Sequence, residues 1–331
     1  MKVLYAIQGT GNGHLSRARD VIPLLQQKCD LDILISGIQS DVNLPAKVKF
    51  QLHGLSFIFG KKGGIDFMKT LKALKPMRLL KEIMNLPIED YDLVINDFEP
   101  VSAWAAKRAG VACIGLSHQA AVQHSKAPKP KHRFWLGELI LNNYAPCKCQ
   151  YGFHFKKYAP EIYHPLIRKE IRDLQPSNGN YVTVYLPAYS DEWISSILTL
   201  LPETNWEVFS KHTKGSTISG NIKISPINNE AFLQSLTNCS AVLCGAGFET
   251  PSEALFLKKK LAVVPMKGQY EQQCNAAALA EEGVTVLESF NNTTIPVLQT
   301  WLKEPMMVDL DFPDETEQII DEILRVNSAG K

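Results

Sequence analysis

A chain of 331 residues has room for two domains of ordinary size, each with a substantial core. With 45% hydrophobic and 21% charged residues it has the balance of a globular enzyme, which excludes a disordered or fibrous chain. The formal net charge of +1 conceals an asymmetry: residues 1–165 hold 22 Lys and Arg against 13 Asp and Glu, and the remainder holds 13 against 21, so a basic half and an acidic half with different tasks are expected.

The opening MKVLYAIQG lacks the long apolar core and small-residue cleavage site of a signal peptide, and no later run is long enough to span a bilayer. A cytoplasmic protein is expected. Lys2–Ile7 reads as a strand, and Gly9-Thr-Gly-Asn-Gly13-His14 as a glycine-rich turn into a helix over Ser16–Lys28. A dinucleotide fingerprint requires glycine where His14 stands, which argues against a nicotinamide oxidoreductase. A hydroxyl is a poor nucleophile at neutral pH, and an imidazole, with an ordinary pKa of about 6.5, can take its proton as it attacks. His14 is therefore a candidate general base; capping or packing at the helix start is the plainer role.

Leu31–Ser36 and Phe50–Leu55 read as the second and third strands. Residues 61–81 hold seven Lys and Arg and one acid, Asp66, among apolar side chains, with a helix to Met84 broken at Pro76. The basic positions recur every three residues, so they spiral around a 3.6-residue helix instead of keeping one face. The segment is either a solvated basic face or a contact with a membrane surface. Leu93–Ile95 is a strand ending in Asn96-Asp97-Phe98-Glu99-Pro100, with a helix following to about Ala109. Open α/β sheets build sites from polar groups at the carboxyl ends of strands. Asp97 would there orient His14, and Glu99 would hold or deprotonate an acceptor, or either would cap the next helix. His118 and Gln119, at the end of strand Val111–Leu116, form a candidate acceptor or second-base site. Residues 126–133, KAPKPKHR, make a basic rim suited to an anionic acceptor or phospholipid heads; no nucleic-acid module accompanies it, so nucleic acid is not expected as a partner.

The seven cysteines have no spacing suited to zinc or a disulfide framework, and Cys147-Lys-Cys149 reads as an incidental pair of thiols. Phe153–Phe155 is the expected last strand of the first domain, and 158–176 the linker, with the boundary near Pro165. Strands Tyr181–Leu186, Glu207–Ser210 and Ile222–Ile224 follow, then a helix over Glu230–Thr237. Ala241–Cys244 reads as a buried parallel strand, Gly245-Ala246-Gly247 as a turn, and Thr250 as the N-cap of a helix with Pro251 at its first position. Strand, glycine turn and helix N-terminus together present free N–H groups to an anion, most often a phosphate. Glu253, on the first turns of that helix, can accept both hydroxyls of a ribose.

GAGFETPSEAL at 245–255 and VPMKGQYEQQCNA at 264–276 resemble the donor-binding signature of inverting GT-B glycosyltransferases. The nearest likenesses are the peptidoglycan lipid-intermediate N-acetylglucosaminyltransferase and the UDP-glycosyltransferase superfamily. The Gly-rich loop ending in Gly13-His14 resembles the one that opens their first domain, and the likeness covers essentially the whole chain. It implies an α/β fold of two Rossmann-like, doubly wound parallel-sheet domains facing across a cleft. Residues 1–165 would bind the acceptor and 166–331 the nucleotide sugar, with the final helix, about 314–326, packing back on the first domain. The implied donor contacts are Gly11, Asn12 and Gly13 across the cleft, and Gly245, Ala246, Gly247 and Thr250 at the pyrophosphate. Glu253 would hold the ribose, Glu271 and Gln272 the sugar, and Ser190 and Lys211 the phosphate or base. Glu271 stands where many relatives have Asp, and the turn lacks their His-Gly-Gly or Ser-Arg-Ala-Gly form.

The expected activity is transfer, with inversion, of a hexose or N-acetylhexosamine from a nucleoside diphosphate, UDP in the first instance. His14 would be the base with Asp97 orienting it, and Glu99, His118 and Gln119 would bind a lipid-linked or glycan acceptor. The nucleotide sugar is a co-substrate, and no cofactor or metal is expected. Asp30-Leu-Asp32 and Asp309-Leu-Asp311 have a metal-binding form but follow no strand at a suitable site. Segments 61–81 and 126–133 would make any peripheral contact with the inner face of a membrane. A UDP-sugar 2-epimerase of the same fold, a retaining transferase and a non-catalytic nucleotide-sugar-binding protein are the alternatives.

Overall fold

The computed structural model describes residues 1–10, 12–37, 44, 46–55, 75–131, 134–305 and 308–328. Among these, the apolar runs become two seven-stranded sheets. The first has the order β3-β2-β1-β4-β5-β6-β7, built from β1 Lys2–Gln8, β2 Asp30–Ser36, β3 Phe50–Leu52, β4 Leu93–Asp97, β5 Cys113–Ser117, β6 Cys149–Phe153 and β7 Ile162–Tyr163. All its neighbours are parallel. The second has the order β10-β11-β9-β8-β12-β13-β14. Its strands are β8 Tyr181–Tyr185, β9 Asn205–Ser210, β10 Thr217–Ser219, β11 Ile222–Pro226, β12 Ala241–Gly245, β13 Lys260–Val264 and β14 Thr285–Val286. The β10–β11 pair is antiparallel and the other neighbours are parallel.

Parallel strands covered on both faces need continuous apolar sequence. Val3–Ile7, Leu93–Ile95 and Val242–Cys244 supply it and are buried throughout. In the helix Asn12–Lys28, Leu15, Ala18, Ile22 and Leu25 recur at helical spacing and face the core. Fully burying each large apolar side chain stabilises the fold by roughly 1.5–3 kcal/mol.

The two halves are not independently packed. One apolar cluster joins Val3, Leu15 and Phe153 to Phe248, Leu255 and Phe312. The final helix, Thr316–Ser328, inserts Ile319, Ile320 and Ile323 into it. Lys28 Nζ donates to Glu317 at 3.1 Å and Asp321 at 2.6 Å, and the Tyr163 hydroxyl donates to Glu322 at 2.5 Å. The last helix thus packs back across the first sheet's layer. The boundary expected near Pro165 lies between Tyr163, which closes the first sheet, and Tyr181, which opens the second.

Three local expectations are corrected. The last strands of the first sheet are 149–153 and 162–163, not 153–155, because the aromatic run is split by a turn that packs Phe155 inward. The helix expected at Pro251 begins at Glu249, since Phe248 already has helical angles (φ −94°, ψ −49°). Thr250 therefore lies inside the first turn and caps nothing. The short edge strands β10 and β14 were not foreseen; β10 is fully exposed and carries no apolar pattern to read.

In both sheets the first strand lies between strands reached by connections that run in opposite directions, at β1/β4 and at β8/β12. Such a reversal opens a crevice at the strands' carboxyl ends. The two crevices face each other.

Candidate active site

At the end of β1 the chain must turn tightly past β2. A Cβ on Gly9 would stand 2.8 Å from Ile35 Cγ2 and 3.1 Å from the Ser36 carbonyl oxygen, so only glycine fits. The helix that follows carries His14 in its first turn and Arg17 one turn later, on the same face. Opposite them, β4 ends in Asp97, which is 0% exposed.

These three side chains form one network. Asp97 Oδ1 lies 2.8 Å from His14 Nδ1, and Arg17 Nη2 donates to both Asp97 oxygens at 2.7 and 2.8 Å. A carboxylate only accepts, so Nδ1 carries a proton toward Asp97, and in the neutral imidazole Nε2 then presents its lone pair; Arg17 Nη2 also lies 3.2 Å from Nδ1. Burial pushes the Asp97 acid up, but Arg17 and His14, with their hydrogen bonds, outweigh it and hold the carboxylate below its ordinary range. Arg17 continues across the cleft: Nη1 donates to Glu249 Oε1 at 2.5 Å.

Nε2 of His14 faces a cavity of about 530 Å³ between the two domains. Gln119 Nε2 lies 3.5 Å from His14 Nε2 and donates to Glu271 Oε2 at 3.0 Å. Gln119 is buried, and its Oε1 has no hydrogen-bond partner. On the second-domain side the wall is Phe248, Glu249, Met266 and 268–272, with Lys211 and His212 at the rim. On the first-domain side Phe98, Phe134, Leu141 and Tyr144 make an apolar wall, and the Phe98 and Tyr144 rings stack at 4.6 Å.

Of the expected site residues, the structure gathers His14, Asp97, Gly13, Gln119, Glu271, Gln272 and Lys211 around this cavity. Gln272 Oε1 accepts from the Met266 amide at 2.9 Å, which ties the 265–269 loop to the helix Tyr270–Glu281. Gly245, Ala246 and Gly247 form the turn after β12; a Cβ on Gly247 would meet no atom within 4 Å. Asn12 opens the first helix. Gly11, 61–74, 132 and 133 lie outside the described residues.

Other expected residues have different surroundings. Of the two roles expected for Glu99, the structure shows the cap: its buried carboxylate caps the helix Pro100–Ala109, accepting from Val101 N at 2.7 Å and Ser102 N at 2.6 Å. A cap satisfies N–H groups that the helix leaves open, and Pro100 suits the first helical position that follows it. His118 reaches the wall, yet both its ring nitrogens are engaged, with Phe153 O at 2.8 Å and Asn275 Oδ1 at 2.6 Å. Its ring stacks on Phe248 at 3.8 Å, so it clasps the two domains and has no nitrogen left for an acceptor. Glu253 is buried away from the cavity wall, its Oε1 accepting from Arg168 Nε at 2.7 Å. Burial raises its acid, and Arg168 opposes that. Ser190 caps the helix Asp191–Leu198, accepting from Trp193 N at 3.3 Å.

Arg17 and Glu249 are the residues the sequence reading missed. The i, i+3 spacing from His14 to Arg17 was the available signal. Outside the cavity, Met77, Leu80 and Met84 stand exposed on the helix Pro76–Asn85, with Arg78 and Lys81 between them. Among the described residues no helix is long and apolar enough to cross a membrane.

Comparison with curated proteins finds no significant match. Solved structures resemble the chain over nearly its whole length. MurG from Acinetobacter baumannii has a TM-score of 0.60 at 13% identity, covering 98% of this chain and 100% of the other. A UDP-glucosyltransferase from Polygonum tinctorium, described as capable of glucosylating indoxyl, has a TM-score of 0.57 at 14% identity, covering 99% and 94%. The glycosyltransferase SnogD from Streptomyces nogalater has 0.54 at 12%, covering 98% and 99%. These likenesses, with the two facing sheets, give the chain the GT-B fold. The family model described as glycosyl transferase family 1 matches residues 1–304, and the chain belongs to that family.

Proposed function

We propose that this glycosyltransferase moves a hexose or N-acetylhexosamine from a UDP-sugar to an acceptor hydroxyl with inversion, without a metal. The observation that carries the reading is the His14–Asp97 pair, held together at 2.8 Å with His14 in the wall of the interdomain cavity. The acceptor oxygen bonds to the anomeric carbon from the face opposite the diphosphate, and its proton passes to His14 Nε2. The bond from the anomeric carbon to the diphosphate oxygen breaks, and its electron pair leaves with the diphosphate. Asp97 holds Nδ1–H and faces the imidazolium that forms. Gly247 and the helix N-terminus after it would offer N–H groups to the departing charge, the Ala246 N–H being held by Val264 O at 3.1 Å.

Glu271 and Gln272 are the proposed sugar contacts, and Gln119, bonded to Glu271 and next to His14, would meet the hydroxyls between them. Lys211 and Ser190 are proposed at the nucleotide's phosphate or base, with Asn12 and Gly13 across the cleft. Glu253 as the ribose ligand requires Arg168 to yield its carboxylate. The apolar wall of Phe98, Phe134, Leu141 and Tyr144 supports an acceptor with an apolar body, lipid-linked in the first instance. Exposed Met77, Leu80 and Met84 beside Arg78 and Lys81 support docking at the inner face of a membrane.

The test is turnover of a panel of UDP-sugars with and without acceptors, following the anomeric configuration of the product. His14→Ala is expected to lower transfer about 10²–10⁴-fold while leaving donor binding nearly intact. A His14→Ala enzyme with most of its rate, or formation of a 2-epimer from donor alone, would overturn this reading.

A further inference from the structure

The helix Asn12–Lys28 carries a charge that the transfer just described does not use. Arg17 is 2% exposed, yet it stands in the cavity wall and meets a carboxylate from each domain. Its Nη2 is committed to Asp97, its Nη1 to Glu249, and its Nε has no hydrogen-bond partner.

Glu249 is an unexpected partner. It lies in the first turn of the helix Glu249–Phe256, where free N–H groups favour an anion, and directly after the turn 245–247. It reaches across the cleft: a Cβ on Gly13 would stand 3.0 Å from Glu249 Cγ. Gly247, two residues earlier, has open space where a side chain would be. Among the described residues, the Glu249 carboxylate and the Arg17 guanidinium edge thus meet between the two glycine loops.

That carboxylate is poorly kept. Burial, with Glu253 on its own helix and Asp97 across the cleft adding to it, pushes the Glu249 acid up to about 7 against the opposing pull of Arg17 and His14. An incoming diphosphate would meet Glu249 as a like charge and Arg17 as its nearest buried cation.

We propose that Glu249 and the donor diphosphate compete for Arg17, and that Arg17 exchanges the carboxylate for the diphosphate and neutralises the leaving group. The inference rests on the donor reading above. The exchange leaves Nη2 on Asp97, so one side chain touches both the support of the base and the departing group. Glu249 takes a proton from solvent and releases Arg17 as the diphosphate arrives. Arg17 would supply at the diphosphate the positive charge that a bound metal supplies elsewhere.

The test measures binding of UDP, GDP and dTDP by calorimetry, with the three parent nucleosides as controls, to the wild type and to Glu249→Gln. At pH 8 most of Glu249 is ionised, and binding restricted to the protonated fraction is weakened about 10-fold. Glu249→Gln is expected to bind the preferred diphosphate about 10-fold more tightly at pH 8, with nucleoside affinity unchanged. At pH 6 the two proteins should be nearly equal; the ligand's own titration cancels in that ratio. Arg17→Gln should lose diphosphate affinity in both backgrounds; if it fails to fold, the Glu249→Gln comparison alone decides. Wild type that binds a diphosphate at pH 8 while Glu249→Gln binds it there equally or more weakly overturns the exchange and leaves the donor reading standing. If no diphosphate binds the wild type, the donor reading itself fails and takes this inference with it.

Discussion

Replacing Asp97 by Asn removes one charge at the point where three groups meet. Asp97 faces His14 Nδ1 at 2.8 Å and accepts from Arg17 Nη2 at 2.7 and 2.8 Å, with no exposed surface. An amide keeps one acceptor oxygen and turns an NH2 toward the other donor, so either His14 or Arg17 loses its partner. Breaking a buried ion pair by removing one member costs about 3–5 kcal/mol. Arg17 retains Glu249, so the lower end, about 3 kcal/mol, is expected, a large part of the 5–15 kcal/mol that a folded protein typically has in hand. The catalytic effect is separable from this. Without a carboxylate on Nδ1 the imidazolium loses its countercharge, and kcat is expected to fall about 10²–10⁴-fold with donor affinity near wild type. The acidic limb of the pH–rate profile should move to lower pH, a change that lost stability alone does not produce. The assay is single-turnover transfer at a temperature where circular dichroism finds both proteins folded. A folded Asp97→Asn enzyme with wild-type kcat and an unmoved acidic limb refutes the positioning role.

Three further predictions follow from particular contacts. Glu99→Ala removes both cap hydrogen bonds from the helix Pro100–Ala109 and should cost about 0.5–2 kcal/mol in urea unfolding. Its KM for acceptor should not change; a selective rise would return Glu99 to the acceptor site. Glu249→Gln bears on stability as well as binding. The folded-state acid titrates near 7 against an ordinary 4.5, so the native state holds this proton more tightly than the unfolded chain. The stabilisation is whole below pH 4.5 and is lost as pH rises through 7, about 3 kcal/mol in all. Glu249→Gln should therefore raise Tm at pH 8 and leave it unchanged at pH 4.5; equal gains at both pH values would count against the burial argument. Glu253→Ala should abolish the thermal shift that a UDP-sugar induces in the wild type, because a ligand stabilises only what it binds. A shift of unchanged size would place the ribose elsewhere.

What the sequence made legible depends on how local the physics is. Strands β1, β4, β5, β8 and β12 were readable because burial on both faces forces an unbroken apolar run. Asp97 and Gln119 were readable because a polar residue at the end of such a run projects into the crevice of an open sheet. Thr250 was misplaced because the preferred chemistry of Thr-Pro at a helix start is a tendency, and the glycine turn delivers Phe248 already in helical geometry. Glu99 and His118 are polar groups at strand ends whose hydrogen bonds go to backbone and to Asn275, and no local pattern distinguishes that from ligand binding. Arg17 lay beyond local reasoning altogether. Its partner Glu249 is 232 positions away, and its meaning exists only once the two sheets face each other.

Glu249 and Glu253 sit one turn apart on one helix face, and each is met by an arginine from outside the second sheet's layer. Arg17 comes from the first helix of the chain, and Arg168 from the segment joining the two sheets. Buried carboxylates without partners are costly, and a helix face that displayed two of them unpaired would destabilise the protein. The apolar cluster around Leu15, Phe153, Phe248 and Phe312 fixes the two domains against each other, which leaves these polar bridges to adjust when the cleft fills. A ribose at Glu253 would replace one bridge and a diphosphate at Arg17 the other. The diphosphate gives Arg17 a new anion, and ribose hydroxyls would hydrogen-bond the Glu253 carboxylate while Arg168 keeps Glu170. A nucleoside that lacks its phosphates could replace only the bridge at Glu253. On this reasoning the discrimination between nucleoside and nucleoside diphosphate comes from the Arg17 edge of the helix and not from the ribose edge.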